Sequence, residues 1–355
     1  MATDLLTSLT EFSQVVHTTT VSFFEEQEKI AADIDDNLLH SLKELAVFSE
    51  RGGKAIRAYL VEVGYELAQG KPSEDLVKAA TAIDLHHKHI LILDDIADRD
   101  EERYGGPTVE YSYRKYFADQ DDSAHSAQVF AMLDGVWLGA LARELLYESG
   151  FTSDKLIACT KLLNTLMYRD TLAGWQIHAL ECKQTLAQST TEEFVKGLEL
   201  VTARYTFEGP LKIGLILAGN TNKKVTIALE KYSKYVGTAF QIQDDILGLF
   251  GDSAKTGKPV GNDVREGKKT LLVQIAYQRT NEKEFLESCV GNAKITPEDI
   301  AQVQKIVKDT GSLKYSQDLA QKYVSEGIET LSDLPDSESK QHLIDLARYV
   351  IKREK

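Results

Sequence analysis

Apolar residues recur at three- and four-residue steps through most of this chain, as in Leu38, Leu39, Leu42, Leu45 and Ala46. Residues so spaced share one face of an α-helix, whereas a half-buried strand needs alternation at period two. That alternation is scarce, so the expected fold class is all-α. Proline agrees. Only six occur, and Pro72, Pro107, Pro259, Pro297 and Pro335 fall where helices would begin or break. Thr296-Pro297-Glu298-Asp299 reads as a helix start. No Ser/Gly linker, low-complexity tract or internal repeat of 20 to 50 residues interrupts the 355 residues, which favours one all-helical domain over 1–355.

Charge and cysteine usage narrow the function classes. The net charge of -14 and the lack of any Lys/Arg-dominated segment argue against a nucleic-acid partner. Three cysteines without Cys-x-x-Cys spacing indicate neither a disulfide framework nor a structural zinc site. The first residues lack a basic stretch leading into an apolar core, and no run approaches the roughly 20 apolar residues of a membrane span. A cytoplasmic protein without a transmembrane segment is expected.

Two aspartate pairs carry the strongest chemical signal. They lie in Leu93-Asp94-Asp95-Ile96-Ala97-Asp98 and Gln243-Asp244-Asp245-Ile246-Leu247, each after an apolar run, Ile90 to Leu93 and Ala239-Phe240 with Ile242. Acids on a helix usually form its solvated face, but these sit where helices leave a core, and buried acids need partners. Asp94 and Asp98 share a face at i and i+4. Two such helices facing each other would offer hard oxygen ligands suited to Mg²⁺ holding a diphosphate.

Other segments supply cations. Arg51-Gly52-Gly53-Lys54-Ala55-Ile56-Arg57 places Lys54 and Arg57 on one helix face behind two glycines, the outline of an anion site; taken alone it could equally be a flexible loop and a solvated helix start. Lys258 and the pair Lys268-Lys269 follow the second aspartates, each next to a glycine. In His86-His87-Lys88-His89 the neighbours point in different directions, which disfavours zinc; His87, two turns before Asp94, suits a hydrogen bond to the anion better. The polar stretches Arg99 to Thr108 and Gly251 to Lys269, just beyond the two pairs, are the expected functional loops.

Together these segments resemble the trans-prenyltransferases, the isoprenyl diphosphate synthases that make farnesyl, geranylgeranyl and longer polyprenyl diphosphates. The resemblance covers most of residues 50 to 275. It runs from Gly52-Gly53-Lys54-x-x-Arg57 through His87, Asp94-Asp95-x-x-Asp98, Arg103-x-Gly105-x-Pro107-Thr108 and Thr202-Ala203-Arg204-Tyr205-Thr206-Phe207-Glu208-Gly209-Pro210-Leu211. It continues in Phe240-Gln241-Ile242-Gln243-Asp244-Asp245, Thr256 to Gly261 and Asp263 to Thr270. It implies an isoprenoid synthase-type helical bundle around a deep central cavity, commonly a homodimer, with the aspartate-rich helices facing each other. It further implies about three Mg²⁺ ions held by Asp94, Asp95, Asp98, Asp244 and Asp245. Arg103, Thr202, Gln241, Lys258 and Lys268 would face the allylic diphosphate, and Lys54, Arg57 and His87 would hold isopentenyl diphosphate. Product length would be set by a floor at His89 and Ile90, with His86 a turn deeper, which points to geranylgeranyl diphosphate, farnesyl being the shorter option.

The chain departs from the family pattern in places. Tyr104 stands where the second arginine of Arg-Arg-Gly is usual, and Val201 where a Lys-Thr pair supplies a lysine. Gly174-Trp175-Gln176 only approximates a Gly-Gln-x-x-Asp motif, whose terminal acid has no clear counterpart. Gly248 replaces the last aspartate of the second motif, with Asp252 near enough in sequence to compensate. These losses keep two alternatives open: a class I terpene synthase that ionises a prenyl diphosphate without isopentenyl diphosphate, and a non-catalytic partner subunit, which would have no use for the retained aspartates and lysines. The basic end, Tyr349 to Lys355, reads as a frayed terminus that could also lend cations to the isopentenyl site.

Overall fold

The computed structural model describes residues 4–220, 222–252 and 260–353, and they are helical almost throughout. The all-α expectation holds. Among the described residues the sole sheet is a two-residue antiparallel pair, β1 (Glu102–Arg103) with β2 (Gly106–Pro107). Among the described residues no helix is long and apolar enough to cross a membrane. The chain divides into two compact units: Met1–Thr160 with Ile213–Asn220, and Lys161–Lys212 with Thr221–Lys355.

The first unit comprises α1 (Leu5–Ala32), α2 (Asp36–Glu50), α3 (Ile56–Leu67), α4 (Glu74–Asp98), the β1–β2 hairpin, α5 (Val109–Tyr116), α6 (Ser123–Tyr147) and α7 (Ser153–Leu162). Helix α4 starts at a Ser73 cap that accepts from the Leu76 amide. It is buried on every side, with Leu76, Ile83, Leu85, Ile90 and Ile92 all in the core, so it runs through the middle of its unit. Its main neighbour is α6, where two glycines allow close approach. A Cβ on Gly135 would meet Ile92 and Leu93 at 3.2 Å, and one on Gly139 would meet the His89 ring at 3.2 Å.

A buried acid in this unit makes stability pH-dependent. Asp134 of α6, 3% exposed, accepts the Tyr113 hydroxyl at 2.6 Å, and burial pushes its carboxyl up to about 7 against the opposing hydrogen bonds from Tyr113 and Ser41. The unfolded chain ionises this group near its ordinary value, so folding loses stability as pH rises from about 4 to 7 and no further above that. Asp134→Asn keeps an acceptor for Tyr113 but removes the titration. Urea unfolding at pH 4.5 and pH 8 should show the variant losing about 3 kcal/mol less than wild type across that interval; identical pH slopes would refute the assignment.

The second unit carries α8 (Asp170–Glu181), α9 (Thr191–Leu198), the first residues of α10 (Gly209–Ala218), α11 (Lys223–Phe250), α12 (Asn262–Glu266), α13 (Leu271–Arg279), α14 (Lys283–Cys289), α15 (Pro297–Asp309), α16 (Ser312–Glu329) and α17 (Glu338–Val350). Thr296 forms a full capping box with Asp299 ahead of Pro297, as the sequence predicts. Pro210 differs from the other prolines. It lies in the second position of α10, directly after the π-helical stretch Glu199–Glu208, and the wider turn accommodates a residue that cannot donate a backbone hydrogen bond. A second π stretch, Leu163–Arg169, leads into α8, and Asp170 joins the two by accepting Arg204 Nη1 at 2.5 Å.

Candidate active site

In the first unit, the last turn of α4 presents Asp94, half-exposed, and Asp95, 1% exposed. The following hairpin exists to return a cation onto them. Arg99 ends α4 in the left-handed region, β1 then runs back, and Arg103 Nε donates to Asp95 Oδ1 at 2.7 Å while its Nη2 reaches Asp94 at 3.2 Å, Asp100 at 3.3 Å and Asp95 as well. Asp95 Oδ2 stays buried without a hydrogen-bond partner. Burial raises the Asp95 carboxyl to about 6; Arg103 opposes this, and Asp94 and Asp100 add to it. A buried oxygen of this kind calls for a partner.

The glycine-rich segment lies against the same hairpin. Gly53, at φ +150, has the Tyr104 ring over it, so a Cβ there would sit 3.7 Å from the phenol oxygen. Arg51 Nη1 donates to the Pro107 carbonyl at 2.6 Å and occupies the space a side chain at Gly106 would need, locking loop to hairpin. Lys54 and Arg57 flank the start of α3. His87 is pushed well below its ordinary range by burial and then by the charges of Arg57 and Arg103. Its imidazole therefore stays uncharged among these cations. His87 lies within reach of the charges of Arg57 and Arg103, and Arg103 holds the first aspartates.

The second unit holds the second pair mid-way through the last turns of α11. Thr202 Oγ1, from the π stretch, donates to Gln241 Oε1 at 2.6 Å, and Gln241 Nε2 donates to Asp245 Oδ1 at 3.0 Å. The relay is possible because Gly237 lets α11 approach Ala203 so closely that a Cβ would lie 2.4 Å from its Cα. Asp245 Oδ2 is the second buried carboxylate oxygen without a partner. Burial, then the neighbouring Asp263, drives the Asp245 carboxyl well above the ordinary range. Lys268 lies 3.3 Å from Asp263 and 3.0 Å from Glu266. Among the described residues no three His, Cys, Asp or Glu side chains converge on one cation position.

The polyprenyl synthetase family model matches residues 40–308. The short chain isoprenyl diphosphate synthase of Methanocaldococcus jannaschii is 34% identical over 82% of this chain and 82% of its own length. The chain belongs to the polyprenyl synthetase family. A geranylgeranyl diphosphate synthase of Saccharolobus solfataricus is 32% identical, with 86% of this chain and 87% of the relative covered. The crystal structure of geranylgeranyl pyrophosphate synthase from Corynebacterium glutamicum, complexed with isoprenyl diphosphate and magnesium, superposes with a TM-score of 0.90 at 30% identity, covering 97% of this chain and 99% of that one. This polyprenyl synthetase is thus a chain-elongating prenyltransferase with the all-α isoprenoid synthase fold.

Within this polyprenyl synthetase the departures acquire physical accounts. A Cβ on Gly248 would lie 2.5 Å from Asp263 Oδ2, so a carboxylate from α12 occupies the space beside the position that lacks the family's last aspartate. Val201 packs on Gly174, where a Cβ would be 2.4 Å from Val201 Cγ2; one turn on, His178 packs on Gly197. Burial and the charge of Lys268 push His178 down, so it borders the lysine turn, and Lys269 ties that turn to α8 by donating to the Glu181 carbonyl at 2.6 Å. Counting four residues from Gly174 would have found His178. His89 Nδ1 donates to the Gly135 carbonyl, 2.6 Å away, and with His86 and Ile90 it is buried in the core around α4. Lys258 lies outside the described residues.

Proposed function

We propose that this chain condenses isopentenyl diphosphate with an allylic diphosphate, using about three Mg²⁺ ions, and releases geranylgeranyl diphosphate as its main product. The observation that carries the reading is the pair of buried carboxylate oxygens without partners, Asp95 Oδ2 and Asp245 Oδ2, one on each aspartate pair. Mg²⁺, when bound by Asp94, Asp95, Asp98, Asp244 and Asp245, supplies positive charge where the leaving diphosphate develops its own. Arg103 and Lys268 add cations toward the allylic diphosphate, and Lys258 is assigned to it by the sequence motif alone. Thr202 and Gln241 orient Asp245 through their relay and face the same group. Lys54, Arg57 and neutral His87 hold isopentenyl diphosphate so that its double bond meets the allylic cation. The departed diphosphate takes the proton. The test is labelled isopentenyl diphosphate with dimethylallyl or farnesyl diphosphate, with and without Mg²⁺. A longer diphosphate formed only with Mg²⁺ is expected; a hydrocarbon made without isopentenyl diphosphate would overturn the reading.

Product length follows from α4. His89 fills the space left by Gly139, so His89→Phe pushes a larger ring into an already tight contact and shortens the product toward farnesyl, read by chromatography of the dephosphorylated alcohols. An unchanged product would refute this floor. We also read the assembly as a homodimer in the cytoplasm. Met132, Leu133 and Val136 stand exposed together on α6, an apolar stripe suited to a second copy. Light scattering should give twice the chain mass, and Leu133→Glu should halve it.

A further inference from the structure

Arg353, three residues beyond α17, is seated on the second aspartate pair. Its Nη2 lies 2.5 Å from Asp244 Oδ1 and donates to the Phe240 carbonyl at 3.1 Å. The guanidinium carbon stands 3.7 Å from the centre of the Phe240 ring, and the Arg353 carbonyl accepts from Gln243 Nε2 at 3.3 Å. Phe240, Gln243 and Asp244 form one face of α11 at i, i+3 and i+4, so the arginine is held by an ion pair, a stacked ring and two hydrogen bonds at once. Its side chain is only 10% exposed. A frayed end would look different.

A divalent ion on Asp244 would lie within a few ångströms of this guanidinium, and like charges so placed repel most strongly where water is scarce. We propose that Arg353 is a built-in counter-cation of Asp244 that metal binding must weaken, so that metal loading and loosening of the 350–353 turn are one coupled event. The inference rests on the Mg²⁺ reading above. Coupling of this kind is reciprocal: whatever Arg353 costs the metal, the metal costs the Arg353 anchor.

Mn²⁺ tests both sides, because its free and bound forms are counted directly by electron paramagnetic resonance without any turnover. Arg353→Gln should bind Mn²⁺ about three- to tenfold tighter than wild type, an effect kept modest because Asp244 is itself more than a third exposed. Arg353→Lys, which keeps the charge but loses the stacked plane, should fall between. Amide exchange at residues 350–353 should speed up when Mn²⁺ is added to wild type. A purely structural anchor would lower the melting temperature of Arg353→Gln and leave its Mn²⁺ affinity unchanged or weaker; that result overturns the proposal while the metal reading stands. Wild-type protein that binds no Mn²⁺ would overturn both.

Discussion

Asp95→Asn lowers kcat on the order of 10²- to 10³-fold while the protein stays folded, the scale expected when one preorganised charge contact to a developing anion is lost. The side chain is buried on α4, its Oδ1 held by Arg103 and its Oδ2 without a partner. Asparagine can still accept from Arg103 but offers a cation no negative charge. The fold should not suffer, since burial already holds this carboxyl up at about 6 and a neutral amide avoids the cost of an interior charge. Steady-state kinetics at saturating Mg²⁺ with a parallel melting curve checks it. Activity within threefold of wild type would remove Asp95 from the metal site.

Arg103→Ala has the opposite signature and a larger effect on stability. One guanidinium serves Asp94, Asp95 and Asp100, and deleting it leaves a buried carboxylate beside two like charges. Breaking a buried ion pair from one side costs about 3 to 5 kcal/mol, mostly because the remaining charge is stranded. Asp95 can escape the penalty by taking a proton, and without Arg103 it does so above the value of about 6 that it has beside that guanidinium, so the loss should be largest at pH 8 and have shrunk by pH 5. Urea unfolding at pH 8 and pH 5 measures both. A loss under 1 kcal/mol at pH 8, or one independent of pH, would show that the hairpin cation does not support the aspartates.

The two predictions exploit groups that the sequence identifies with unequal ease. Asp94, Asp95, Asp244 and Asp245 are legible because each pair follows an apolar run, and burial of a charge demands a reason. The Gly52-Gly53-Lys54 segment is legible for a similar reason, since glycines beside cations imply close backbone approach to an anion. Arg51 was missed, because nothing local marks an arginine whose role is to fill the space over Gly106 and hold the Pro107 carbonyl. Asp263 was missed too: its carboxylate comes against Gly248 from nineteen residues beyond Asp244, a distance over which spacing arguments are silent. The π stretches at 163–169 and 199–208 left no trace in a 3.6-residue period, since one wide turn shifts the apolar pattern by a single position.

What the sequence determined by itself is whatever follows from neighbours three or four residues apart: the all-α class, the capped start of α15, the acidic ends of two core helices and the residue types of the anion loop. Those features depend on helix geometry, which is the same in every context. What only the tertiary structure decided is which charges meet. Arg103 returns to Asp95 through a hairpin, Asp263 enters the gap at Gly248, and Arg353 closes on Asp244 from 109 residues away. The partners of a buried charge are set by packing between distant segments, because an interior carboxylate accepts whichever cation the fold delivers, and no local periodicity records that choice.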